Sequence, residues 1–365
     1  MKFTCGAEKL REAILIADRT TGKNLALPVL GTVLMVVADK KISIRATNLS
    51  LGVELQVPAV ISRDGVAALR GDIIAQYLSG LKSNDEISCE LVDDLCIFQA
   101  KKSRISVKTF PYEDFPTIPA VEGKKMNLPA SVITKGVTAV SFASAVTDIK
   151  PEIASIHLYT DADSLVFVAT DSFRLAEKKV KLKQIPDMAP ILIPVKNMME
   201  VARILEGIDD DIIIEYSQNQ IAFRHRNIYI TSRLVVGTFP DYKQIIPKGA
   251  DTEAIILRQD LLSNLKMANV FSGKLNQLTL TVDPQEKKCI IHVINSDLGE
   301  ETGALDGVLS GAPVSLSVNL RYLLDCFQSI SSDSVSLIIN SAQKPVIVRG
   351  VDDRSFLYLL MPMNR

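Results

Sequence analysis

Histidine occurs three times in the 365 residues, at His157, His225 and His292, and none has a second histidine or a carboxylate beside it at ligand spacing. Each falls in a strand-like run, which reads as a structural role rather than catalysis or metal binding. There is no glycine-rich phosphate loop, because Gly22-Lys23 lacks both the preceding glycine pattern and the following Ser or Thr. A G-x-S-x-G nucleophile elbow is missing as well. The five cysteines, Cys5, Cys89, Cys96, Cys289 and Cys326, are an odd number without metal-ligand spacing, so they read as small apolar thiols of a reducing compartment. The acidic run Asp209-Asp210-Asp211 lies between a helical and a strand-like segment and reads as a solvated turn. No apolar run is long enough to span a bilayer, and Met1-Lys-Phe-Thr reads as the start of a strand rather than a leader, so a cytoplasmic location is expected. A formal charge of −1 excludes a strongly basic nucleic-acid binder of the ordinary kind.

What is present is repetition. Arg104 to Pro111 reads RISVKTFP, Arg233 to Pro240 reads RLVVGTFP and Ser355 to Pro362 reads SFLYLLMP, each a β-like alternation closed by an apolar residue and proline. Other landmarks keep the same interval. Leu81 to Leu91, Ile208 to Tyr216 and Ile330 to Ile338 each pass from a polar break into a strand-like run, and each follows an amphipathic segment. The openings Phe3-Thr-Cys5, Met126-Asn-Leu128 and Ile255-Ile-Leu257 each lead into a helical pattern, around Leu10, Ile133 and Leu262. Each third therefore predicts strand, helix, strands, helix, strands. The expected fold is α+β in three copies, with domains at residues 1–124, 125–246 and 247–365, and 47% hydrophobic content suffices for several cores.

Charge is not spread evenly over this pattern. The six helical segments, Ala7–Lys23, Arg70–Lys82, Ser131–Lys150, Pro194–Glu206, Arg258–Lys274 and Asn319–Gln328, together carry +5, which leaves −6 for the rest of the chain to reach −1. A mildly basic helical side can attract phosphate while an acidic strand side avoids unspecific adhesion, although solvated helix faces carry lysines in any protein.

Two further segments stand out from the scaffold, Thr170 to Ala176 (TDSFRLA) and Phe239 to Pro247 (FPDYKQIIP), and the chain stays apolar almost to its end. With MKFT at the start, LPVLG at Leu27 to Gly31, ATDSFRLA at Ala169 to Ala176, FPDY at Phe239 to Tyr242 and MPM at Met361 to Met363, the whole chain resembles the β subunit of bacterial DNA polymerase III, the sliding-clamp family. The resemblance implies three clamp domains per subunit, each with an antiparallel sheet outside and two helices inside. It also implies a head-to-tail homodimeric ring without enzymatic activity, cofactor or metal.

A ring around a duplex roughly 20 Å wide needs weak, sequence-independent phosphate contacts. The expected DNA-facing positions are Lys23, Asn24, Lys135, Lys150, Lys196, Arg203, Lys266, Lys274 and Arg321, of which Lys196 has the best support from the resemblance. Asn24 stands where clamps commonly have arginine, and Pro151 and Glu152 replace a usual aromatic pair near Ile153.

The resemblance also implies a cleft for short linear motifs of the polymerase catalytic subunit, the clamp loader, other polymerases and repair proteins. One side would comprise Ile153, Thr170, Ser172, Phe173, Arg174 and Leu175. Facing it would be Pro240, Gln244 and Ile245, with Asn319 and Tyr322 nearby and Leu359, Leu360, Met361, Pro362 and Met363 from the tail. Here Ser172-Phe173 replaces a family Gly-His and Gln244 stands where arginine is frequent. At the ring seam, the edge strand Ser103 to Lys108 would lie beside the first helix of the third domain, with Ile105 and Val107 facing Val270 and Phe271. Two other readings stay open from the residues: a monomeric repeat scaffold that binds proteins but not DNA, and an enzyme with a site between repeats.

Overall fold

The computed structural model describes residues 1–22, 26–147, 149–184 and 188–363. Among them, six α-helices fall where the repeat places them: α1 (Ala7–Thr20), α2 (Gly71–Ser79), α3 (Ala130–Val140), α4 (Val195–Leu205), α5 (Arg258–Ala268) and α6 (Leu320–Asp325). One strand precedes α1, α3 and α5, and three strands follow α2, α4 and α6. The predicted order of elements holds in all three thirds.

The helix α1 shows why these segments coil. Its buried residues, Ala7, Leu10, Ala13, Ile14, Ala17 and Thr20, recur at helical spacing, while Glu8 at the start and Arg19 at the end suit the dipole. Small residues on that face permit close packing, and α2 begins on Gly71, where a Cβ would lie 2.6 Å from Asp18 Oδ1 and 2.7 Å from Val33 Cγ2. Bare backbone is required there.

The chain forms two compact units, Met1–Ser131 with Arg203–Leu234 and Val132–Ala202 with Val235–Arg365. They do not follow the thirds, because sheets run from one repeat into the next. In the first unit an eight-stranded sheet joins the last strands of repeat two to the first strands of repeat one, through antiparallel pairing of Ile228–Arg233 with Leu51–Pro58. A five-stranded sheet beside it ends in Ser103–Lys108. In the second unit a nine-stranded sheet joins the first strands of repeat two to the last of repeat three, through Arg174–Lys181 against Phe356–Leu360. A four-stranded sheet ends in Gly299–Ala304. All pairings are antiparallel, so each strand needs a short turn and not a helical crossover.

Several sequence expectations change at this level. The middle copy of the proline-closed alternation, Arg233 to Pro240, is not a strand: the strand ends at Arg233. The amides of Arg233 and Leu234 donate to Ser50 and Asn219 of the first unit, and that of Val235 donates to Leu192 of the second. The segment is the passage between two sheets. Helices α3 and α5 end at Val140 and Ala268, each followed by a single 3-10 turn, so Lys150 and Lys274 lie outside them. Two histidines also gain carboxylates that spacing did not reveal, since strand pairing brings His225 Nε2 to 3.2 Å from Asp210 and His292 Nε2 to 3.1 Å from Glu300. Asp210 also binds Arg226 at 2.5 Å, which accounts for the acidic turn by ion pairing. Among the described residues no cluster of His, Cys, Asp and Glu could hold a metal, and no helix is long and apolar enough to cross a membrane. All five cysteines are buried and unpaired.

Candidate functional site

The site grows from the hairpin turn between Ser164–Thr170 and Arg174–Lys181. Asp171 Oδ1 accepts the amides of Phe173 and Arg174, both at 2.9 Å, and the Thr170 hydroxyl donates to the Arg174 carbonyl at 2.7 Å. Local side-chain bonding of this kind is what Thr, Asp and Ser offer at turns. It forces Ser172 to φ +78°, a left-handed conformation that glycine adopts more readily, and glycine is the residue the family resemblance puts there.

Arg174 is the polar centre. Its Nε donates to Asp171 Oδ2 at 3.0 Å and its Nη1 to Asp325 Oδ2 at 2.6 Å, while the guanidinium lies 4.2 Å from the Tyr322 ring centre and 5.7 Å from that of Phe142. Burial opposes the charge, but the Asp325 bond, with Tyr358 and Asp171, outweighs it and holds the pKa above its ordinary value. Tyr322 is placed by its own helix: Asn319 caps α6, its Oδ1 accepting the amides of Arg321 and Tyr322 at 3.0 and 3.1 Å. The Tyr358 hydroxyl donates to the Tyr322 carbonyl at 2.8 Å.

The tail joins the turn through the sheet. Arg174 pairs with Leu360 and Leu175 with Leu359, and the Met361 amide then donates to the Phe173 carbonyl at 2.9 Å. Met363 N donates to Ser317 O at 2.8 Å, which brings the last described residue alongside the strand that leads into Asn319. The third wall is residues 239–246, held by Phe239 and Tyr242, which are buried in one cluster with Leu175 and Leu359. Pro240 and Gln244 are exposed, and Ile245 is 48% exposed.

The expected cleft residues therefore come together in the second unit, but in two layers. Leu175, Leu359 and Leu360 are at most 2% exposed: Leu175 and Leu359 form the floor beneath the cleft, in the cluster that holds the 239–246 wall, whereas Leu360, opposite Arg174 in register, is buried on the other face of the sheet. Thr170 is also buried, committed to its own turn. Left to meet a ligand are Phe173 at 62% exposure, Ile245, Pro240, Ser172 and Gln244, with Arg174, Asn319, Tyr322, Met361, Pro362 and Met363 half-buried. Half-buried Ile153 is connected less directly, its carbonyl accepting the amide of Ala145, three residues beyond Phe142. Sequence reasoning missed Asp171, Asp325 and Phe142. Asp171 had a local signal, the Thr-Asp-Ser turn, whereas Asp325 and Phe142 reach Arg174 only through folding.

Of the cations expected to face DNA, Lys135 on α3, Lys196 and Arg203 on α4, Lys266 on α5 and Arg321 on α6 are exposed, as are Lys150 and Lys274 in the segments beyond α3 and α5. Lys23 and Asn24 lie outside the described residues. At the expected seam, Val270 is 68% exposed and Phe271 half-buried, whereas Val107 is 4% exposed and opposite Cys96 in its own sheet. Ile105 shares that inward face, opposite Phe98, because side chains two apart on a strand point the same way. Val107 is therefore committed to its own core, while half-buried Ile105 keeps some surface at the open edge of that sheet.

Three repeats of one element order, joined through shared antiparallel sheets, define a clamp-type scaffold. The chain belongs to the DNA polymerase III beta subunit family: the models of its N-terminal, central and C-terminal domains match residues 1–119, 127–241 and 243–364. It is similar to the beta sliding clamps of Synechococcus elongatus, at 25% identity over 100% of this chain and 99% of that one, and of Escherichia coli K12, at 26% over 100% of both. A crystal structure of a DnaN sliding clamp from Pseudomonas aeruginosa bound to griselimycin superposes with a TM-score of 0.93 at 26% identity, covering 100% of both chains.

Proposed function

We propose that this protein is the processivity clamp of a replicative DNA polymerase: a cytoplasmic homodimeric ring that encircles duplex DNA and holds partner proteins by short peptides. It performs no catalysis and needs no cofactor. Full-length similarity to beta sliding clamps supports the class, and the site around Arg174 supports the mode of partner binding. Polymerase catalytic subunit, clamp loader, other polymerases and repair proteins would share that one site. The domains are residues 1–124, 125–246 and 247–365.

The observation that carries ring formation is the pair of open sheet edges. The strand Ser103–Lys108 of the five-stranded sheet and the strand Gly299–Ala304 of the four-stranded sheet each have a partner on one side alone among the described residues. Of the other ends of those sheets, Val60–Arg63 is an edge of only four residues that leads directly into Gly65–Leu69 of the neighbouring sheet, and Val314–Asn319 accepts the tail at Ser317. An exposed edge invites another chain. Five strands and four make nine, the size of the largest sheet already in the molecule. The edges are also opposite in charge, with Lys101, Lys102, Arg104 and Lys108 on or beside one and Glu300 and Glu301 on the other. A second copy would thus close the ring head to tail, with exposed Val270 near the joint.

Electron microscopy of the purified protein tests the architecture, a particle with a central hole being the expected image. Clamps loaded on a nicked circular duplex should be released when the circle is cut, and equal release from circular and linear DNA would exclude encirclement. Direct binding to linear duplex should be weak, indifferent to sequence and lost on modest addition of salt.

A further inference from the structure

One charge is buried beneath the proposed cleft. Glu177 lies two residues beyond Leu175, on the same face of the strand, and is 7% exposed among the side chains that form the floor. A carboxylate in such a place is tolerated only with hydrogen-bonding partners. The Tyr242 hydroxyl donates to Glu177 Oε2, and the Tyr159 and Tyr242 hydroxyls are 2.6 Å apart. Each phenol has one proton, and that of Tyr242 goes to Glu177, so Tyr159 is the donor to Tyr242. The chain has a single direction, from Tyr159 to Tyr242 to Glu177. Lys179, 3.9 Å from Glu177 Oε1, and Asp161, 3.3 Å from Lys179, close its outer end.

Tyr242 belongs to the 239–246 wall, whose other anchors are looser: Lys243 reaches Asp161 at 3.9 Å and lies over the Tyr159 ring, and the rest are apolar. Phe239 stacks on His157 with centroids 4.7 Å apart and Ile246 packs on the floor cluster, contacts that hold by burial and have little directional preference. A hydrogen bond fixes distance and angle. We propose that the Tyr159–Tyr242–Glu177 chain is the positioning device of the peptide cleft, setting the height and rotation of the wall so that Pro240 and Ile245 face an incoming apolar peptide. The proposal rests on the peptide-cleft reading of the site. Tyr242 and Glu177 are positioning residues and would not touch the peptide.

Stability and position can be separated. Removing both members of a buried polar pair for apolar groups of similar size is often neutral or stabilising, whereas removing one strands the other. The test uses the full chain and a panel of fluorescein-labelled peptides with the C-terminal sequences of bacterial replicative polymerases, read by fluorescence polarisation. The triple variant Glu177→Met with Tyr159→Phe and Tyr242→Phe, which leaves no member of the chain stranded, should keep or raise its thermal midpoint, remain dimeric, and bind the tightest peptide about ten-fold more weakly. Glu177→Gln keeps an acceptor and should retain most of the affinity. In an Ile245→Ala background the triple variant should add little further loss, since the wall it positions is already shortened. Wild-type affinity in the triple variant would overturn the proposal, as would a loss of the same size with and without Ile245. If no peptide binds the parent, or Ile245→Ala alone leaves binding unchanged, the cleft reading itself fails, a result distinct from failure of the positioning role.

Discussion

His157 sits behind the cleft wall, stacked on Phe239 with an interplanar angle of 7° and 5.0 Å from the Tyr159 ring centre. Its Nδ1 is buried and lacks a hydrogen-bond partner among the described residues. Burial, assisted by Lys243 and opposed by the backbone bond to Ile191, lowers its pKa from 6.5 to about 4. The folded protein therefore keeps this ring neutral at pH values where the unfolded chain protonates it. Because the folded value is the depressed one, stability is intact above pH 6.5, falls as pH drops below it, and levels off below about 4. The gap is worth about 3 kcal/mol when complete and about 2 kcal/mol at pH 5. His157→Phe preserves an aromatic ring against Phe239 and cannot titrate. Urea unfolding of both proteins at pH 7.5, 6 and 5 isolates the effect, since every carboxylate that titrates is common to the two. Relative to its value at pH 7.5, the variant should gain about 2 kcal/mol on the parent at pH 5. Parallel stability profiles, or a His157 ring proton that titrates near 6.5 by NMR, would refute the assignment.

Three other changes follow from the geometry. Ser172→Gly relieves a φ of +78° and should stabilise the second unit by about 1 kcal/mol in thermal unfolding, with the Asp171 turn retained. Gly136→Ala improves helix propensity in α3 yet puts a Cβ 2.3 Å from the buried Phe167 ring; overpacking should win, lowering stability by about 2 kcal/mol, and an unchanged or raised midpoint would contradict the packing. Deleting Met361 to Arg365 removes the amide bonds to Phe173 and Ser317 but leaves the strand Phe356–Leu360, so the truncated chain should stay dimeric in ultracentrifugation and lose peptide affinity; full-strength binding would show that the tail is no part of the cleft.

The sequence by itself determined the element order and where the site begins. Apolar spacing around Leu10, Ile133 and Leu262 and the polar breaks at Asp85, Asp210 and Asp333 are local properties, so the periodicity of side chains against water suffices to place helices and strand starts. The same holds for the Thr170 to Arg174 turn, whose bonds span four residues or fewer. Which strands meet is another matter. Arg174–Lys181 pairs with Phe356–Leu360 across most of the second half of the chain, and Ile228–Arg233 pairs back to Leu51–Pro58. Alternation specifies which face of a strand is apolar but not which other strand will cover it. Only tertiary structure could therefore decide that Leu175 and Leu359 lie beneath the cleft, that Val107 faces its own core, and that RLVVGTFP is a passage between sheets where its two counterparts contain strands. Arg174 follows the same rule: Asp171 is its neighbour in sequence, while Asp325, 151 residues away, becomes its partner because the closing sheet brings α6 to the turn.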